Sequence, residues 1–211
     1  LIGILIYGQT YQKVGYITIL VNISDLENGY YFQAERIVKA LLSIILAFGT
    51  VMTTRNTIEY TSQRTGSVRK NVYRSFRFVF AVGVPLALGA VAIANAFVPL
   101  YYGQGYEKVA SLMMAYAPVI LISGCSNILG MQYLLATKRD KQYALSVLIG
   151  FAANLILNVI FIPLMGSMGA IIGTLISEFI ILFVQYLFVH RELSLWIIFK
   201  TIWKYALAGL I

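Results

Sequence analysis

Six stretches of roughly twenty mainly apolar residues recur along this chain, each long enough to cross the hydrocarbon core of a bilayer as a helix. They fall at about 2–22, 31–54, 76–98, 110–136, 143–163 and 169–190, and a seventh opens near Trp196. The short polar connectors between them leave no room for a separate soluble domain. Composition agrees: 60% of the 211 residues are hydrophobic and 11% are charged, against about half and about a quarter in a water-soluble domain. The pattern predicts an all-α, polytopic helical membrane bundle of six spans plus the start of a seventh. The chain begins and ends inside apolar runs, Leu1–Ile6 and Tyr205–Ile211, so both ends read as cut within a larger bundle.

Net charge is +8, from 16 basic and 8 acidic residues. Its distribution excludes a nucleic-acid stripe, because the charges gather in connectors. If every run crosses once, Arg55, Arg64, Arg69, Lys70, Arg74, Arg77, Lys138, Arg139, Lys141, Arg191, Lys200 and Lys204 share one side. The opposite connectors, about 23–30, 99–108 and 164–168, carry only Lys108. The positive-inside rule therefore predicts that residues 55–74 are cytoplasmic, as a polar loop with a short surface helix. Tyr30, Tyr31, Tyr101, Tyr102 and Tyr106 fit an aromatic belt at the outer ends, with Trp196 and Trp203 near an inner one.

Polar groups at mid-span cost free energy unless a cavity or partner receives them, so they mark candidate sites. In the first run Gln9 and Lys13 share a helical face and Gln12 adjoins it. Lys13 either presents charge to an anionic substrate or pairs with a carboxylate elsewhere in the bundle. In the second run Glu35 and Lys39 are an i,i+4 pair, and Arg36 and Lys39 share a face. Arg36 has the planar fork that suits a phosphate, or it snorkels to outer headgroups. Glu178 is the mid-span carboxylate, a candidate for a coupling proton or cation, a partner for Lys13, or a structural glutamate. Asn154 and Asn158, together with Asn95, Asn127, Gln132 and Gln185, read as interhelical hydrogen-bond residues. Gly83, Pro85 and Pro118 interrupt spans as tolerated breakers or hinges. Gly169-x-x-x-Gly173 permits close helix approach. Cys125 reads as a small packing residue. The sequence carries no metal-ligand spacing, nucleophile elbow, P-loop or paired-carboxylate motif, so no catalytic residue, metal or cofactor is assigned.

From the second run onward the chain resembles the polysaccharide-biosynthesis flippases, the Wzx-like O-antigen and capsule exporters of the MOP transporter superfamily. Four patterns carry the likeness, and together they span about 150 residues. The first is Gly29-Tyr30-Tyr31, then Ala34-Glu35-Arg36 and Ala47-Phe48-Gly49-Thr50-Val51. The second is Pro99-Leu100-Tyr101-Tyr102-Gly103 with Tyr106. The third is Asn127-Ile128-Leu129-Gly130 with Gln132 and Leu134-Leu135-Ala136-Thr137. The fourth is Asn154-Leu155 with Asn158, then Ile162-Pro163, Gly166, Gly169-Ala170 and Ser177-Glu178. Two departures stand out: Thr53-Thr54-Arg55 replaces the family's usual Pro-Arg, and Gln12-Lys13 replaces its Asp-Lys pair. Lipid II flippases of the same superfamily show a similar acidic-Arg pair early in the equivalent helix, which favours Arg36 as substrate-facing.

The resemblance implies a transporter of 12 to 14 helices in two halves, of which residues 1–211 would form part of the C-terminal half. Its cationic cavity would take an undecaprenyl-pyrophosphate-linked oligosaccharide by alternating access in the cytoplasmic membrane. Partners would be the bilayer, the lipid-linked substrate, a coupling proton or sodium ion, and the N-terminal half. Substrate-binding residues would be Lys13, Arg36, Lys39, Gln9 and Gln12, with Glu178 for ion coupling. Two other classes compete. A multidrug cation exporter of the superfamily would favour acidic cavity residues. A membrane-embedded polysaccharide polymerase or ligase needs a large outer loop, and the outer connectors reach only about ten residues. A scaffold that has lost transport is a third reading.

Overall fold

The structure is a computed structural model and describes residues 25–194. Gln9, Gln12, Lys13 and the expected first and seventh spans lie outside the described residues. Within them the chain is helical. Helix α1 is Asp25–Thr61, α2 is Thr65–Tyr102, α3 is Glu107–Tyr116 and α4 is Val119–Asn127. A π-helical segment, Ile128–Leu135, continues from α4, followed by α5, Asp140–Met165, and α6, Ser167–Val189. Taken as continuous runs, five of these are long and apolar enough to cross a membrane: Leu26–Thr61, Thr65–Tyr102, Glu107–Leu135, Asp140–Met165 and Ser167–Val189. They coincide with the second to sixth runs of the sequence.

Polarity is inverted relative to a water-soluble protein. Ile156, Val159, Ile160, Phe179, Phe183 and Leu187 are exposed on α5 and α6, while Asn56, Asn71, Gln132, Asn154, Asn158 and Gln185 are buried. Lipid solvates the apolar outside, so the inside is held by close packing and interhelical hydrogen bonds. Asn71 Nδ2 donates to Asn56 Oδ1 at 3.0 Å, and Asn56 Nδ2 donates to the Gln132 carbonyl at 2.8 Å, joining α1, α2 and the π segment. Small residues do the rest. A Cβ on Gly169 would lie 2.1 Å from the Phe161 carbonyl oxygen, and one on Gly173 would lie 2.7 Å from Asn158 Oδ1. The Gly-x-x-x-Gly pair therefore sets how closely α6 approaches α5. Cys125 is buried in this packing as a free thiol.

One expectation needs correction. Residues 55–74 are not a loop with a separate surface helix. Both α1 and α2 run on through this stretch and meet in a three-residue turn, Ser62-Gln63-Arg64. The apolar run ends near Thr54, but the helix does not, because nothing there breaks it. Thr53, Thr54, Thr57 and Thr61 each donate a hydroxyl hydrogen bond to the carbonyl four residues back. Asn56, Val68, Asn71 and Val72 are buried, so the extensions pack instead of fraying. At 1.5 Å per residue α1 is about 55 Å long, well beyond a hydrocarbon core of about 30 Å. The fourth span is present but, in keeping with Pro118 as a breaker, is not one regular helix. Pro118 lacks an N–H and ends α3, and after Asn127 the chain widens into π geometry, with Ala136 N bonding the Met131 carbonyl. Gln132 Nε2 reaches Asn127 Oδ1, five residues back, at 3.1 Å.

Candidate functional site

A cavity of about 260 Å³ opens among α1, α4, α5 and α6. Its lining brings together side chains that the sequence scatters across 150 residues. Glu35 and Lys39 come from α1, Ser123 and Asn127 from α4, Asn154 and Asn158 from α5, and Thr174 and Glu178 from α6. Helical spacing explains each contribution. Glu35 and Lys39 are one turn apart, as are Asn154 and Asn158, and Thr174 and Glu178, so each pair puts both members on one face.

The charges are arranged unequally. Lys39 Nζ is ion-paired with Glu35 Oε1 at 2.8 Å, and the Glu35 side chain is almost fully buried. Glu178 Oε2 accepts a hydrogen bond from Ser123 Oγ at 3.1 Å, and the Lys39 charge also acts on it. With every group ionised, one lysine faces two glutamates, so the described cavity is acidic by one charge. Beside it Asn158 Nδ2 donates to Asn154 Oδ1 at 2.9 Å, and Asn154 Nδ2 donates to Ser177 Oγ at 3.1 Å. Asn158 Oδ1 is buried with no hydrogen-bond partner among the described residues. A buried acceptor of this kind suits a proton-bearing or cationic guest.

The sequence-predicted residues thus divide. Lys39 and Glu178 share the cavity. Arg36 does not line it and is exposed on the same helix. Gln9, Gln12 and Lys13 lie outside the described residues. Asn154 does serve as an interhelical hydrogen-bond residue, bonding Ser177, whereas Asn158 donates within α5 to Asn154; both line the cavity. Ser123 went unnoticed because a single serine in an apolar run carries no signal; only the approach of α4 to α6 gives it a role.

A second polar cluster sits at the basic end, where sequence reasoning saw only connector charges. Glu192, just past α6, accepts a hydrogen bond from Tyr133 and one from Arg139 Nη2 at 2.6 Å. Burial raises the Glu192 carboxyl, but the Tyr133 and Arg139 hydrogen bonds and the charges of Arg139 and Arg69 outweigh it, and the net displacement is downward. A folded-state value below the unfolded one means that the contribution to stability is full above the ordinary carboxylate range. It is lost as pH falls through the lowered value. We expect acidification through that window to lower the thermal midpoint, by an amount equivalent to about 1 kcal/mol for this partly exposed group. Glu192→Gln should flatten that pH dependence. An acid response identical in the variant would show that the clasp carries none of it.

At the other end Glu27 accepts from Lys108 and from Ser167 Oγ at 2.7 Å, binding α1 to the starts of α3 and α6. The Tyr30, Tyr102 and Tyr106 rings pack there in edge and stacked contacts.

The described helices share the fold of solved transporters of the MOP superfamily. One solved relative is a MOP-superfamily transporter from Pyrococcus furiosus, TM-score 0.70 at 19% identity, matching 97% of this chain and 50% of the other. Another is an outward-facing MATE-family multidrug resistance transporter, TM-score 0.67 at 19% identity, over 98% and 50%. In sequence the chain is similar to a lipid II flippase and to a lipopolysaccharide biosynthesis protein. It is 22% identical to the lipid II flippase MurJ of Bacillus subtilis over 161 residues, 75% of this chain and 29% of that one. It is 24% identical to the lipopolysaccharide biosynthesis protein WzxC of Escherichia coli over 123 residues, 55% and 23%. The chain thus spans less than a third of the length of these curated relatives. No protein-family profile matches it.

Proposed function

We propose that this chain forms part of a transporter that flips an undecaprenyl-pyrophosphate-linked oligosaccharide across the cytoplasmic membrane, for surface polysaccharide such as O-antigen or capsule. The observation that carries this reading is a charged, polar cavity inside a membrane-type bundle of MOP fold, in a chain similar to both a lipid II flippase and a lipopolysaccharide biosynthesis protein. In this reading Arg36 and Lys13, with Gln9 and Gln12, bind the substrate, the two cations taking its phosphates. Lys39 links these residues to the coupling site, where Glu178 carries the proton or sodium ion. The basic end, with Arg55 to Arg74, faces the cytoplasm.

The acidic balance of the described cavity favours a second reading, a cation exporter of the MATE type. One experiment separates them. The protein is reconstituted in vesicles and assayed for flipping of a lipid-linked oligosaccharide and for export of a cationic dye. The flippase reading expects flipping by the wild type, reduced at least about tenfold by Arg36→Gln combined with Lys13→Gln, each lost charge contact being worth about 1.5–3 kcal/mol. Dye export without flipping establishes the MATE reading. Flipping unchanged in the double variant removes the two cations from the mechanism.

A further inference from the structure

The Tyr133–Arg139–Glu192 cluster borders a second cavity, also of about 260 Å³. Tyr60, Thr65, Arg69 and Thr137 complete its polar lining. It opens at the bundle's basic end, where α1 stops, α2 starts, the π segment gives way to α5, and the chain leaves α6. Arg69 and Thr65 are exposed, so the cavity is reachable from outside.

Its electrostatics favour an anion in three ways. Two guanidiniums face a single carboxylate, leaving one positive charge over. The start of α2 contributes Thr65, so the positive dipole end of a 38-residue helix lies at the wall. Hydroxyls of Tyr60 and Thr65, and that of Tyr133 once Glu192 is displaced, add donors that suit oxyanion oxygens. The nearby carboxylates do not cancel this: Glu59 faces Arg64 at 4.0 Å, and Asp140 is exposed and outside the lining. Glu192 occupies the place an oxyanion would take, held by one tyrosine hydroxyl and one guanidinium. Arg69 acts on it only through space.

We propose that this pocket is a phosphate-binding site at the membrane surface, and that Glu192 is its built-in competitor, displaced when a phosphate group engages Arg69 and Arg139 together. The site is separate from the transport cavity and requires only that this end of the bundle lie at a membrane face, so it stands or falls independently of flipping. Arg64, Lys70, Lys138 and Arg191, all exposed at the same end, would draw anionic headgroups toward it.

The test uses the intact protein in nanodiscs of phosphatidylcholine alone or with phosphatidylglycerol, and reads retained phosphatidylglycerol by native mass spectrometry. A parallel arm titrates inorganic phosphate against the phosphatidylcholine discs at constant ionic strength, reading the thermal midpoint. Glu192→Gln should strengthen binding on the order of tenfold, and Arg69→Gln with Arg139→Gln should weaken it by at least as much. The strengthening is a gain that misfolding cannot imitate. Enhancement in the lipid arm assigns the site to a headgroup, and enhancement confined to the phosphate arm assigns it to a soluble phosphate. Glu192→Gln indistinguishable from wild type in both arms overturns the proposal.

Discussion

Glu178→Gln should abolish coupled transport while leaving the protein folded. Glutamine matches glutamate in shape and can still accept the Ser123 hydroxyl hydrogen bond seen at 3.1 Å. It removes a charge from inside a membrane bundle, so expression and thermal stability should hold or rise. What it cannot do is take up a proton or attract a cation. An ion gradient drives a conformational cycle only through different affinities in the two states. Under the coupling role proposed for Glu178, a permanently neutral side chain here removes the driving force, and we expect gradient-driven transport to fall at least about tenfold, equivalent to about 1.4 kcal/mol of lost coupling. Glu178→Asp, which keeps the charge but shortens the reach to Ser123, should retain part of the rate. The readout is initial transport rate in vesicles with imposed proton or sodium gradients. Wild-type rate and gradient dependence in Glu178→Gln would take the residue out of the coupling mechanism.

Gly169→Ala should be among the most destabilising single-methyl substitutions in the chain. The added carbon would lie 2.1 Å from the Phe161 carbonyl oxygen and 2.5 Å from its carbon, both backbone atoms of α5. No rotamer relieves a backbone clash, so α5 and α6 must separate. Their packing, including the Asn154–Ser177 hydrogen bond, would be disturbed along its length. Overpacking of this kind costs about 1–3 kcal/mol, measurable as a lowered thermal midpoint in detergent. Gly89 is the matched control, since a Cβ there meets nothing within 4 Å. Gly89→Ala should be neutral or should stabilise by up to about 1 kcal/mol through helix propensity. Equal midpoints for the two alanine variants would mean that the α5–α6 approach is not set by that glycine.

These two sites differ in how far the sequence reveals them. Gly169 and Gly173 announce themselves through spacing, because helix packing depends on residues four apart on one face. Glu178 stands out for a related reason: a carboxylate within an apolar run has no cheap place in lipid. The cavity that receives it was not legible. Ser123, Asn154 and Thr174 are ordinary polar residues within their own helices, and they become one site only where α4, α5 and α6 meet. Lys39 was legible as an unusual charge, and its i,i+4 pairing with Glu35 was legible too. That the pair lies beside Glu178 depends on how α1 rotates against α6.

The sequence by itself determined the solvent, the secondary structure class and the approximate spans, because apolar length and charge spacing are local quantities that a bilayer reads directly. Tertiary structure alone decided how far the helices run beyond their apolar stretches, as at the α1–α2 turn. It also decided which polar residues share a cavity and which basic connector residue closes on Glu192. Those are contacts between residues far apart in the chain, fixed by helix rotation and close approach, and no local pattern of residues encodes them.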